Sequence, residues 1–137
     1  MIVVDASFLL ELLLGRPEAA GVIDGELEDH EHEPLHAPEL VELETLNALR
    51  RTVLRGVITD HHATAAASEL ERTRLVSYPH APLRGRVWEL RHNLSAYDAS
   101  YLALAELLDD SVLITADSGL AGAAARSLGE SRVKLVA

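Results

Sequence analysis

The chain has 137 residues, 48% of them hydrophobic and 25% charged, which is the composition of one ordinary globular domain, expected to span 1–137. It has no cysteine, which excludes disulfides, thiolate catalysis and cysteine-based zinc sites and fits a cytoplasmic location. The start Met1–Asp5 lacks a basic n-region, Glu11 breaks the apolar stretch Phe8–Leu14, and no run approaches the ~18 apolar residues of a membrane span, so neither a secretory leader nor a membrane anchor is expected.

Met1–Val4 is a short β-branched run that predicts a buried strand. Ser7–Leu14 predicts a helix stopped near Gly15-Arg16-Pro17, and Glu18–His30 a second one with Val22, Ile23 and Leu27 on one face. Leu35–Ala37 is a strand candidate. Pro38–Arg55 reads as a long helix starting at or beside Pro38, a favoured first-turn residue, and ending at Gly56. Thr59–Arg72 follows as a helix capped by Thr59 or Asp60. Leu75–Tyr78 predicts a strand, Leu83–His92 and Ala96–Leu108 helices, Val112–Thr115 a strand, Gly119–Leu128 a helix and Val133–Val136 a last strand. Strands alternating with helices predict an α/β fold with a mostly parallel sheet. Ligands of such sheets gather at the carboxyl ends of the strands, where strand order reverses.

Acids placed at those ends carry the chemical interest. Asp5 follows the first strand and Asp117 the Val112–Thr115 strand, although Asp is equally a helix cap or turn residue. Asp98 stands three residues after Ser95, the spacing of a capping box. Glu44 lies within the long helix, where periodicity does not separate it from Glu42 or Glu39. Carboxylates brought into one cleft repel each other and raise each other's pKa, and a hard divalent cation relieves that repulsion.

Four segments in order, Val3-Val4-Asp5-Ala6-Ser7, Pro38-Glu39-Leu40 through Glu44-Thr45-Leu46-Asn47-Ala48-Leu49-Arg50-Arg51, Ala96-Tyr97-Asp98-Ala99-Ser100-Tyr101 and Leu113-Ile114-Thr115-Ala116-Asp117, resemble the PIN-domain family and, within it, the VapC toxins. The resemblance spans nearly the whole chain. It implies a three-layer α/β sandwich with a sheet of about five strands, Mg²⁺ or Mn²⁺ as cofactor, and cleavage of single-stranded RNA. It also implies a VapB-like antitoxin partner and a homodimer. Carried over by residue, the catalytic quartet is Asp5, Glu44, Asp98 and Asp117, with Asp5, Asp98 and Asp117 on the metal and Ser7 and Thr115 in support. Glu44 is chosen over Glu42 by the Glu-x-x-Asn-x-Leu-Arg-Arg match.

The formal charge of −10, from 22 acidic and 12 basic residues, argues against a broad nucleic-acid surface. All the basic residues except Lys134 are arginines, however, and Arg makes bidentate phosphate contacts. Arg50, Arg51 and Arg91 are the candidates to position RNA. Two other readings compete. A phosphatase-like hydrolase would use Asp5 as nucleophile, yet Ser7 stands where its second Asp belongs. A non-catalytic RNA- or protein-binding module would keep the fold alone. His30 and His32, in an acidic run, are potential metal ligands but read as a solvated charged stretch. His61, His62, His80 and His92 carry no signal, and Trp88 reads as a packing residue.

Overall fold

The computed structural model describes residues 1–27 and 33–136. Five strands, β1 (Ile2–Val4), β2 (Leu35–Pro38), β3 (Leu75–Tyr78), β4 (Val112–Thr115) and β5 (Val133–Leu135), form one sheet in the order β3-β2-β1-β4-β5. Every pairing is parallel. A parallel sheet covered on both faces needs strands that are apolar throughout rather than alternating. The central strand β1 meets this, with all three residues buried, and β4 nearly so.

The helices are α1 (Ala6–Leu13), α2 (Pro17–Leu27), α3 (Leu40–Leu54), α4 (Asp60–Arg72), α5 (Arg84–Glu89), α6 (Ala96–Leu107) and α7 (Ser118–Leu128). One group packs around α1, which touches α2, α3 and α4; the other packs around α6, which touches α5 and α7 and crosses β2, β1 and β4. In α6, Ala99 through Ala105 are buried without interruption, so this helix is apolar on all sides and its first turn is fixed in place. The core is Val3, Val4, Phe8, Leu9, Tyr101, Leu102, Leu104, Leu113, Ile114 and Leu120, all fully buried.

Strand order reverses at β1, which lies between β2 and β4. The register Val4↔Ile114 sets the residues that follow these two strands side by side, and the crevice of an open parallel sheet lies there.

Three local expectations shift. Pro38 ends β2, paired with Tyr78, and α3 begins only at Leu40; the Glu39 N–H donates to the Tyr78 carbonyl and so continues the sheet one residue past the proline. The segment expected as one helix over Leu83–His92 is a 3-10 turn at Ala81–Leu83 followed by the short α5, because Pro82 opens it and Gly85 weakens it. Trp88 is 67% exposed rather than packed, with the Arg91 guanidinium 4.4 Å from its ring centroid. Of the segment Glu28 to His32, including both histidines considered as ligands, nothing is described.

Candidate metal-dependent catalytic cleft

Asp5 leaves β1 in extended conformation and caps α1, accepting from the Phe8 N–H at 2.9 Å. It is 3% exposed. The Ser7 hydroxyl donates to it at 2.8 Å and the Thr115 hydroxyl at 2.6 Å. Each of these hydroxyls in turn accepts a backbone N–H, Ser7 from Ala116 at 2.9 Å and Thr115 from Asp117 at 3.0 Å. With their acceptor sides taken, both hydroxyls commit their single protons to Asp5, and the network favours its carboxylate form. Burial acts in the opposite sense and prevails, with the Asp117 charge adding to it, so the Asp5 carboxyl is raised.

The other acids arrive on different elements. Asp117 follows β4 and caps α7 through the Leu120 N–H at 3.0 Å. A Cβ at Gly119 would stand 3.2 Å from the Asp117 carboxylate, so the bare backbone there leaves that side chain its position. Asp98 sits in the first turn of α6, whose cap is the Ser95 hydroxyl, and is raised by burial and then by the charges of Asp117 and Asp5. Glu44 lies in the second turn of α3 and accepts the Tyr101 hydroxyl at 3.2 Å. Burial raises Glu44 first and the charges of Asp98 and Asp5 add to this, against the Tyr101 bond and the charge of Arg51. Tyr101, fully buried, is pushed far up by burial and by the Glu44 and Asp5 charges, and so stays a donor.

Asp5, Glu44, Asp98 and Asp117 thus line one cleft of about 800 Å³. Ser7 lines it too, while Thr115 stands behind Asp5. Among the described residues no three acids or histidines are drawn together as a closed ligand set. The four face a shared space and sense one another's charge across it.

Of the candidate arginines, Arg51 lines the cleft. Arg50 lines a separate groove between α3 and α4, and Arg91 lies against Trp88; neither borders the acids. Arg55, Asn47 and Tyr97 line the cleft without having been singled out, and Tyr101 holds Glu44. The signal for Arg55 was present: Glu44, Ala48, Arg51 and Arg55 follow one another at spacings of three and four, one face of α3.

Residues 2–126 match the family model described as PIN domain. The chain is 43% identical over 117 residues to Ribonuclease VapC9 of Mycobacterium tuberculosis, covering 85% of this chain and 86% of the relative. It is 42% identical over 122 residues to Ribonuclease VapC1 of the same organism, covering 88% and 89%. The fold is similar to that of PAE2754 from Pyrobaculum aerophilum, with TM-score 0.64 and 26% identity over 89% of this chain and 78% of that one. It is also similar to M. tuberculosis VapC20, a sarcin-ricin loop cleaving toxin, with TM-score 0.63 and 23% identity over 90% and 95%.

Proposed function

Because this chain belongs to the PIN-domain family, we propose that it is a metal-dependent endoribonuclease cleaving single-stranded RNA, the toxin of a VapBC-type toxin–antitoxin pair. One observation carries the reading: four carboxylates from distant points of the chain share a cleft with Arg51 and Arg55.

The donors fit a hard cation. The ionisable ligands in the cleft are carboxylates, with a hydroxyl beside them and no histidine among the described lining residues, which is the donor chemistry of Mg²⁺ or Mn²⁺. Three of these acids are raised by burial and mutual repulsion, a cost that a bound cation offsets. Asp5, Asp98 and Asp117 would hold it. A divalent cation supplies a more acidic water and stabilises charge on phosphoryl oxygens.

The chain's own residues do the rest. Ser7, Thr115 and the Phe8 N–H fix the orientation of Asp5. Tyr101 engages Oε1 of Glu44, which leaves Oε2 to orient the attacking water and take its proton as the P–O bond opposite breaks, the departing ribose oxygen taking its proton from solvent at the open mouth of the cleft. Arg51 and Arg55 pair with backbone phosphates and set the strand's register. The buried, triply hydrogen-bonded Asp5 is poorly placed to act as a phosphatase nucleophile.

The family reading extends to a cytoplasmic protein, one domain over 1–137, bound by a VapB-like antitoxin and forming a homodimer. Leu43, Leu46, Leu54 and Val57, all exposed on or just beyond α3, support a partner surface. Asp98→Ala tests the activity. It removes a repelled charge from a half-exposed position, so the fold should persist while Mg²⁺-dependent cleavage of single-stranded RNA disappears. Undiminished cleavage by the folded variant refutes the assignment.

A further inference from the structure

We propose that a second pocket, adjoining the acid cleft, takes one nucleobase next to the scissile phosphodiester and so helps to set where the strand is cut; this rests on the ribonuclease reading above. The pocket has a volume of about 200 Å³ and lies between the start of α3, the α5 segment and the start of α6. Leu40, Leu83, Val87 and Tyr97 give it apolar walls, with Leu83 buried at its base. Leu40 and Tyr97 also line the acid cleft, so the two spaces share a wall. Tyr97 is 65% exposed and immediately precedes Asp98 in the chain. A nucleotide whose phosphate meets the acids carries its base one ribose away, on the scale of that shared wall.

The chemistry of the pocket fits a base better than a phosphate or a sugar. Several polar groups at its lining are already engaged: the Ser100 hydroxyl donates to the Tyr97 carbonyl, and the Leu40 N–H donates to His80 Nε2. Arg84 lines the pocket, its backbone N–H bonded to the Ala81 carbonyl and its guanidinium without a hydrogen-bond or ion-pair partner among the described residues. An apolar slot with an exposed aromatic ring on one wall and a guanidinium at its lining matches a flat π-face with acceptors along its edge. The volume is below the 300–1,000 Å³ usual for drug-sized ligands, as a single base requires.

Two variants test this. Ala96→Phe fills the pocket from an exposed position at the start of α6, and Tyr97→Ala removes the ring. The first readout is kcat/KM on a short single-stranded RNA with one cut site, and on the same RNA with a single abasic ribose at each position in turn. One abasic position flanking the cut should lower kcat/KM of the parent about tenfold, the worth of one stacked base. Ala96→Phe and Tyr97→Ala should lose a similar factor on intact RNA and little more on that abasic RNA. Full additivity, or a parent indifferent to every abasic position, overturns the proposal.

The second readout needs no cleavage. With the parent protein in EDTA, RNAs carrying 2-aminopurine at single positions should show quenching at one position, lost in Ala96→Phe. Failure to quench at any position overturns the base pocket even if the protein is an active nuclease. A parent that cuts no RNA with Mg²⁺ or Mn²⁺ sinks the ribonuclease reading, and the quenching result then stands or falls separately. If Ala96→Phe leaves both readouts unchanged while abolishing binding of a protein partner, the pocket belongs to that partner instead.

Discussion

Replacing Thr115 by valine keeps the shape of a fully buried side chain and deletes one hydroxyl. Its two strongest bonds go with it, the donation to Asp5 Oδ2 at 2.6 Å and the acceptance from the Asp117 N–H at 3.0 Å, together with a 3.2 Å contact to the Ser7 hydroxyl. A hydrogen bond to a charged group contributes about 1.5–3 kcal/mol, and an N–H left without a partner costs about 1–3 kcal/mol. The two bonds share one hydroxyl and are not additive, so a loss of about 2–4 kcal/mol is expected. A domain stable by about 5–15 kcal/mol survives this, with Tm lower on the order of 10 °C. The Thr115 bond also opposes the upward push of burial on Asp5, so its removal raises that carboxyl further and weakens cation binding near neutrality. Thermal denaturation and calorimetric titration with Mn²⁺ measure the two effects. Thr115→Ser keeps both hydrogen bonds and should recover most of each, less about 0.8 kcal/mol for the lost methyl. A Thr115→Val protein that melts and binds Mn²⁺ like the parent, or a serine variant no better than valine, refutes the proposed role of the hydroxyl.

Gly119→Ala should lower activity at little net change in stability: a Cβ 3.2 Å from the Asp117 oxygen that caps the Leu120 N–H displaces that carboxylate, so the helix-propensity gain of up to about 1 kcal/mol is offset by the weakened cap while kcat falls on the order of tenfold, read by steady-state cleavage beside a melting curve. Arg51→Ala and Arg55→Ala should each reduce the salt slope of RNA binding by about 0.7, measured by anisotropy across a salt series in EDTA; an unchanged slope removes that arginine from the phosphate path. Glu106 supplies the pH dependence. Burial raises its carboxyl, but the Arg86 guanidinium, bonded at 2.8 and 2.9 Å, and the Ser127 hydroxyl more than offset this and leave it lowered. A lowered carboxyl stabilises the fold above its unfolded value and loses that contribution as pH falls through the folded one. Glu106→Gln should therefore cost about 0.5–1 kcal/mol at neutral pH and nothing once Glu106 is protonated in the parent, compared by urea denaturation at both pH values.

How much of this was legible depends on how local each signal is. β1 and β4 could be read directly, because strands buried on both faces are continuous β-branched and aliphatic runs, and each is followed by an aspartate acting as a helix cap. The α3 stripe was ambiguous for a physical reason. Val41, Thr45, Leu49 and Thr52 face inward, while Leu43 and Leu46 are 74% and 41% exposed, so apolar residues appear on two faces and the helix does not announce which glutamate turns to the cleft. Family resemblance, not periodicity, selected Glu44. Tyr101 and Tyr97 were quoted only as parts of a motif, since their roles require that α3 and α6 face one another across the sheet's switch point. Pro38 was read as a helix start because its ring suits a first turn; the end of a strand, one residue before a backbone bond to Tyr78, tolerates it equally.

The net charge of −10 looks adverse for an RNA-cutting protein only if charge is averaged over the molecule. At physiological ionic strength the Debye length is about 8 Å, so a docked strand responds to what lies within the cleft. Along the cleft-facing side of α3, Glu44 is followed by Arg51 and Arg55, about 10 and 16 Å further along the helix axis. The wall therefore runs from cationic to anionic. Phosphates are attracted at the arginine end, and at the other end they meet Asp5, Glu44, Asp98 and Asp117, where an anion is tolerated only if a cation is shared among those acids. On the proposed reading, binding and chemistry fall to opposite ends of one helix face, and the excess of acid over the remaining surface acts on the rate of encounter rather than on the geometry of docking.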